Sequence, residues 1–166
     1  NKEDLPFVSE ALKLDPKNAE ANGVAAYAYA RAATYGWGMS RAEAIKLGIA
    51  AGQRSVSLDL KNADAAYALG FLYYLEGDTR KSLEQMRQCI SLNRNHAPAY
   101  FFHGLNLIRL GRAGDAISWV ERAFKLSPRE PLRSVWYGTI GRAQVLLADD
   151  AQAVETANKG IAANPK

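Results

Sequence analysis

Along the chain, small and apolar residues return every three or four positions in stretches of about fourteen residues, separated by short polar breaks. This spacing predicts amphipathic helices joined by tight turns. ADAAYALGFLYYLEGD (63–78) is followed by RKSLEQMRQCISLN (80–93), and APAYFFHGLNLIRLGR (97–112) by AGDAISWVERAFKLSP (113–128). Gly70, Gly104 and Gly138 are spaced by 34 residues, so the helical blocks come as pairs with a fixed period. One helical hairpin cannot bury its apolar stripe alone, so the pairs must stack and share a core.

A helix–turn–helix period of 34 residues resembles the tetratricopeptide repeat. With Ala63 and Ala97 at position 1, the second full repeat places Tyr100, Gly104, Leu107, Ala116, Val120, Ala123 and Pro128 at the motif positions. The first keeps Leu69, Gly70, Tyr73, Met86 and Cys89, with Ser82 in place of alanine and Arg94 in place of proline. The resemblance implies an all-α fold of about nine helices in antiparallel pairs, wound as a right-handed superhelix, an α-solenoid. Cys89 then reads as a small packing residue and not a nucleophile.

The flanking repeats are irregular. From Ala19 to Ala63 is 44 residues, ten more than the period, and the excess lies in TYGWGMSR (34–41) and a lengthened second helix. Burying Trp37 is favourable, so the loop is expected to fold back near that helix. The last repeat fits with Gly141 in the small position and three extra residues around Arg129–Arg133. Asn18 and Asn62 precede helices and suit N-caps. EDLPFVSEALKLDP (3–16) aligns with the second helix 114–128, so the chain reads as a fragment of a longer protein. The segments are 1–18 (second helix of a truncated repeat), 19–62, 63–96, 97–130 and 131–166. Phe7, Val8 and Ala11 are expected to turn toward the truncated repeat's first helix. They would be exposed, or covered by a second copy in a homodimer through the array ends.

Two spellings are less generic. YGWGMSRAEAIKLGIAAGQRSVSLDLKNADAAYALGFLYYLEGD resembles the C-terminal repeats of bacterial adenylate/guanylate cyclase-type signalling proteins, where an aromatic-Trp loop leads into a long second helix. LSPREPLRSVWYGTIGRAQVLLADDAQAV resembles their "L-S-P-R-D-P-L-R" junction. The chain departs from them at Leu60, where proline is usual, and at Ala148-Asp149-Asp150. The resemblance implies a cyclase parent with its catalytic domain elsewhere. Similar repeats also follow winged-helix domains in membrane-tethered regulators, which leaves a sensor role in such a regulator as an alternative.

Composition narrows this little. The 166 residues are 48% hydrophobic and 23% charged, as in a globular domain. The longest apolar run, Ala65 to Leu75, is too short to span a bilayer. One cysteine gives no disulfide framework and fits a reducing, cytoplasmic setting, with a periplasmic one as the alternative for a membrane-tethered parent. The net charge of +4 is uneven: Arg80–Arg142 carries 11 Lys/Arg against 4 Asp/Glu. Such a basic stretch suits nucleic acid, an acidic lipid surface or an acidic protein partner, with a solvated arginine-rich surface as the default reading.

Catalytic and metal chemistry are not spelled here. His96 and His103 lie seven apart without a carboxylate pattern between them. Asp149-Asp150 precedes a helix, where acids complement the dipole. Gly36-Trp37-Gly38 lacks the Lys-Ser/Thr of a phosphate loop. No cofactor is implied. By the resemblance, the concave side of the array would carry Tyr27, Arg31, Tyr67, Phe71, Tyr74, Phe101, Leu105, Arg109 and Arg142. Tyrosine and arginine are favoured interface anchors. The expected partner is a protein, a peptide or another domain of the parent chain, with a nucleic acid or small ligand the weaker reading. The Lys/Asn clamp by which chaperone-binding members hold a terminal carboxylate is replaced by Gly23, Tyr27, Ala68, Pro98 and Phe102.

Overall fold

The structure is a computed structural model and describes residues 4–163. Among the described residues there are nine helices: α1 (Asp4–Leu14), α2 (Ala19–Tyr35), α3 (Arg41–Leu58), α4 (Ala63–Glu76), α5 (Thr79–Leu92), α6 (Ala97–Arg109), α7 (Ala113–Leu126), α8 (Arg133–Leu146) and α9 (Asp150–Ala162). They pack as tetratricopeptide helix pairs: α2 with α3, α4 with α5, α6 with α7 and α8 with α9. Two compact units divide the chain, Asn1–Arg94 and Asn95–Lys166.

Local chemistry sets the helix starts. Asn18 Oδ1 accepts from the Ala21 N–H at 2.9 Å and Asn62 Oδ1 from the Ala65 N–H at 2.9 Å. His96 caps α6 in the same way, its Nδ1 accepting from the Ala99 N–H at 3.2 Å, and Asp149 caps α9 through the Gln152 N–H. The helix ends are set by backbone hand. Gly77 and Gly111, 34 residues apart, close α4 and α6 with φ of 98° and 76°. At the end of α8 the left-handed position is held by Ala148 at φ 57°. The bonding around it copies the end of α6: Asp149 N–H donates to Gln144 O, as Arg112 N–H donates to Leu107 O.

In the first unit α2 is the centre. Its alanines lose no side-chain entropy in a helix and let neighbours approach closely. Ala25, Ala26, Ala28 and Ala30 form a core with Val8, Ala51, Ala68 and Leu72. The long helix α3 is notched by Gly48 and Gly52, one turn apart, which receive Leu72 and Leu69 of α4; a Cβ on Gly48 would lie 2.6 Å from Leu72 Cδ2. Two hydroxyls tie helices together: Ser55 Oγ of α3 donates to Ala19 O of α2, and the buried Ser82 Oγ of α5 donates to Gly70 O of α4, each at 2.7 Å.

The expectation for α1 needs correction at one residue. Phe7 is 76% exposed and Ala11 is exposed, but Val8 is buried in the α2 core. Phe7 and Val8 are adjacent, so the helical turn of 100° that points one outward turns the other onto α2.

The second unit is built on aromatic contacts. Trp136 of α8 stacks on Phe101 of α6 at 5.3 Å and meets Phe124 of α7 edge-on at 5.3 Å. Trp119 of α7 lies against His103 and Tyr100 of α6. Gly104 allows that crossing, since a Cβ there would be 2.7 Å from Val120 Cγ2. Gly141 faces α9 near Ala153 and Thr156, while Gly138 has nothing within 4 Å.

A candidate binding face of aromatic rings and arginine

The loop after α2 builds one end of the candidate face. Gly36, at φ 71°, turns the chain so that the N–H groups of Gly36 and Trp37 both donate to Ala32 O. The turn lays Trp37 back on Tyr35, ring centroids 5.2 Å apart and nearly parallel. Trp37 also packs on the buried cluster of Ala32, Ala33, Ala44 and Ile45 from α2 and α3, as expected of the insertion.

Arg31 sits at the centre of this arrangement. Its guanidinium carbon is 5.2 Å from the Trp37 ring centre, 5.6 Å from Tyr35 and 6.0 Å from Tyr27. Cation–π attraction of about 0.5–1 kcal/mol per exposed ring favours this posture. Its Nε is shut off from solvent. The ring series continues to α4: Tyr27 lies 6.5 Å from Tyr67, and Tyr67 stacks on Phe71 at 6.2 Å. Tyr27 is 43% exposed; Tyr67, Phe71 and Tyr74 are half-buried. Five of the expected residues, Tyr27, Arg31, Tyr67, Phe71 and Tyr74, therefore lie on the neighbouring helices α2 and α4 of one unit.

Arg41, which sequence reasoning passed over, braces the same end. Its Nη1 donates to Ala33 O and its Nη2 to Leu75 O, both at 3.1 Å, tying the last turn of α2 to the last turn of α4. A cation at two helix C-termini complements both dipoles. The signal was present only as a lone arginine after the N-cap Ser40.

The second unit treats its candidates differently. Phe101 and Leu105 are 6% and 8% exposed and are taken up by packing, Phe101 against Trp136. Arg109 and Arg142 are exposed, at the end of α6 and on α8. Both histidines are structural, His96 as a cap and His103 buried against Trp119. Cys89 is buried, and desolvation, with a smaller contribution from the charge of Asp64, pushes its thiol up to about 12. It is protonated at neutral pH and is no nucleophile. Among the described residues no helix is long and apolar enough to cross a membrane.

The tetratricopeptide-repeat family model matches residues 63–96 and 97–130, beginning at the two alanines taken as first positions. The curated proteins include DnaJ homolog subfamily C member 3 of Gallus gallus, 29% identical over 115 residues (61% of this chain, 22% of that protein), and of Bos taurus, 34% identical over 86 residues (45% and 17%). The chain thus spans about a fifth of the length of the curated relatives it matches. Among solved structures, a crystal structure of MamA aligns with TM-score 0.74 at 22% identity, covering 96% of this chain and 85% of that one. MamA 41-end from Desulfovibrio magneticus RS-1 aligns with TM-score 0.77 at 17% identity, covering 97% and 84%. At these identities the likeness concerns the fold. Residues 63–130 are therefore two tandem tetratricopeptide repeats, in a chain whose fold is that of tetratricopeptide-repeat proteins.

Proposed function

We propose that this chain is a non-catalytic protein-interaction module and that the α2–α4 face of its first unit holds a peptide or a partner domain. One observation carries the reading. The stacked pair Trp37–Tyr35 and the series Tyr27–Tyr67–Phe71, joined through the Arg31 guanidinium that lies 5–6 Å from Trp37, Tyr35 and Tyr27, form a partly exposed face. Rings held by their neighbours give contact area at little entropic cost, and a guanidinium among them suits a carboxylate on the ligand. The ligand that fits is a segment with aromatic or aliphatic anchors and an acidic residue near Arg31. That the chain belongs to a nucleotide-cyclase protein is a reading carried by the two spellings alone, and the full reading frame tests it.

The test compares partner capture by wild type with Phe71→Ala, Tyr74→Ala and Arg31→Ala, with melting followed in parallel. Loss of capture by about 2 kcal/mol or more at unchanged melting supports the reading. Unchanged capture, or unfolding of all three variants, removes it. Capture that falls steeply with salt and is competed by nucleic acid would mark the basic stretch, and not these rings, as the active surface.

A further inference from the structure

A guanidinium carries five N–H donors, and no hydrogen bond or ion pair ties that of Arg31 to a described residue. Its Nε is shut off from solvent as well. The rings of Trp37, Tyr35 and Tyr27 hold the group in place, but a ring face attracts a cation without satisfying its N–H donors. A desolvated donor on a charged group is costly to leave unmatched. The side chain as a whole is half-buried, so an acceptor can reach it from outside.

The acceptors nearest in sequence are already engaged. An arginine late in a helix commonly serves the last carbonyls. In α2 those carbonyls have other donors: Thr34 Oγ1 donates to Ala30 O at 2.8 Å, and the N–H groups of Gly36 and Trp37 donate to Ala32 O. Arg41 donates to Ala33 O and to Leu75 O. Two arginines thus meet at one end of the face with separate tasks. Arg41 closes the helix ends, and Arg31 is left for a group that this unit does not supply.

We infer that Arg31 sets the specificity of this face, selecting a carboxylate side chain that stands one helical turn from an apolar anchor on a partner protein's helix. This rests on the α2–α4 face being the binding surface. The spacing comes from the rings. Arg31 to Tyr27, Tyr27 to Tyr67 and Tyr67 to Phe71 are 6.0, 6.5 and 6.2 Å, close to the roughly 5–6 Å between helix side chains three or four positions apart. An anchor resting on Tyr27 and Tyr67 therefore brings the next turn of its helix over Arg31. The charge comes from the helix ends. Arg41 joins the last turns of α2 and α4, so both helices direct their negative ends to this corner, and Glu76 closes α4 there. Phosphate sites are built on the opposite, N–H-rich ends of helices. With Arg41 already engaged, one guanidinium balances a monoanion and not a dianion. Its planar donors match the two oxygens of a carboxylate.

Titration calorimetry on the whole chain tests this with a helical alanine–glutamine peptide, blocked at both ends, that carries Phe and Glu one turn apart. Glu then holds the peptide's only carboxylate. Two companion peptides replace Glu by Gln and by phosphoserine. The Glu peptide is expected to bind about tenfold or more tightly than either companion. It alone should move the Nε–H signal of Arg31 in nitrogen-15 NMR. Arg31→Lys keeps the charge but loses the planar donors, so the preference for Glu over Gln should shrink to within about threefold, with circular dichroism unchanged. A Glu peptide that binds no better than Gln, a phosphoserine peptide that binds best, or an Arg31→Lys variant that discriminates like wild type would each overturn the inference. If Phe71→Ala still abolishes binding in those cases, the face stands and only the choice of ligand fails. If the Glu peptide binds Phe71→Ala and Tyr27→Ala as it binds wild type, the face itself falls and the inference with it. A Glu peptide that does not bind at all also overturns the inference, and partner capture by the Phe71→Ala, Tyr74→Ala and Arg31→Ala variants then judges the face separately.

Discussion

The hydroxyl of Ser82 donates to the carbonyl oxygen of Gly70 at 2.7 Å inside the contact between α4 and α5. Serine stands where the repeat usually has alanine, and its extra atom is used to stitch two helices together. Ser82→Ala should therefore lower stability by only about 0.5–1.5 kcal/mol, the net worth of one hydrogen bond. Ser82→Val puts a methyl against the same carbonyl and should cost more. Urea unfolding of the two variants checks the order; valine at or below the cost of alanine contradicts it.

Gly104 gives a sharper case. A methyl there would meet Val120 Cγ2 at 2.7 Å and Ala116 O at 3.1 Å. Alanine improves helix propensity by about 0.5–1 kcal/mol, but forcing α6 from α7 costs about 1–3 kcal/mol. Gly104→Ala should be a net destabilisation, read as a lower urea midpoint at unchanged slope. A stabilised variant would mean that the helices shift apart freely.

Much of this was legible in the sequence because it is local or periodic. Asn18 and Asn62 announce helix starts by their side chains alone, and Gly70 and Gly104 announce helix crossings by a shared spacing. What was not legible depends on third parties. Phe101 and Leu105 occupy the same repeat face as Tyr67 and Phe71, yet they are buried while the latter two keep part of their rings exposed. For Phe101 the difference is Trp136, an aromatic supplied by α8. The brace made by Arg41 was equally hidden, since its acceptors Ala33 O and Leu75 O are main-chain atoms that no side-chain pattern reports.

Trp37 is half-buried between Tyr35, Arg31 and the Ala44–Ile45 edge of α3. Trp37→Ala should lower stability by about 2 kcal/mol, below the roughly 3–5 kcal/mol of a fully buried aromatic truncation because part of the ring is already wet. It should also release Arg31, whose Nε would regain solvent. A loss within about 0.5 kcal/mol, as for exposed sites, would show the insertion to be unattached.

Cys89 supplies a pH signature. Burial raises its thiol from 9.0 to about 12, so the unfolded chain loses that proton first. The stabilising contribution is complete below pH 9 and is lost progressively as pH rises toward 12. Wild type should therefore lose more stability than Cys89→Ala across that window. At pH 8 a thiol reagent should label the native protein only as fast as it opens, and labelling within seconds would show an exposed thiol.

Ala148 occupies the left-handed position that Gly77 and Gly111 occupy in the two turns before it. An L-residue there carries about 1–2 kcal/mol of strain that glycine lacks, stored in the one connection between α8 and α9. That makes the turn the first place where amide protons should meet deuterium, with α9 exchanging ahead of α6 and α7. Order of unravelling is thus written in a single methyl group. Ala148→Gly should slow exchange throughout α9, so that one terminal turn governs how long the last hairpin survives each opening of the chain.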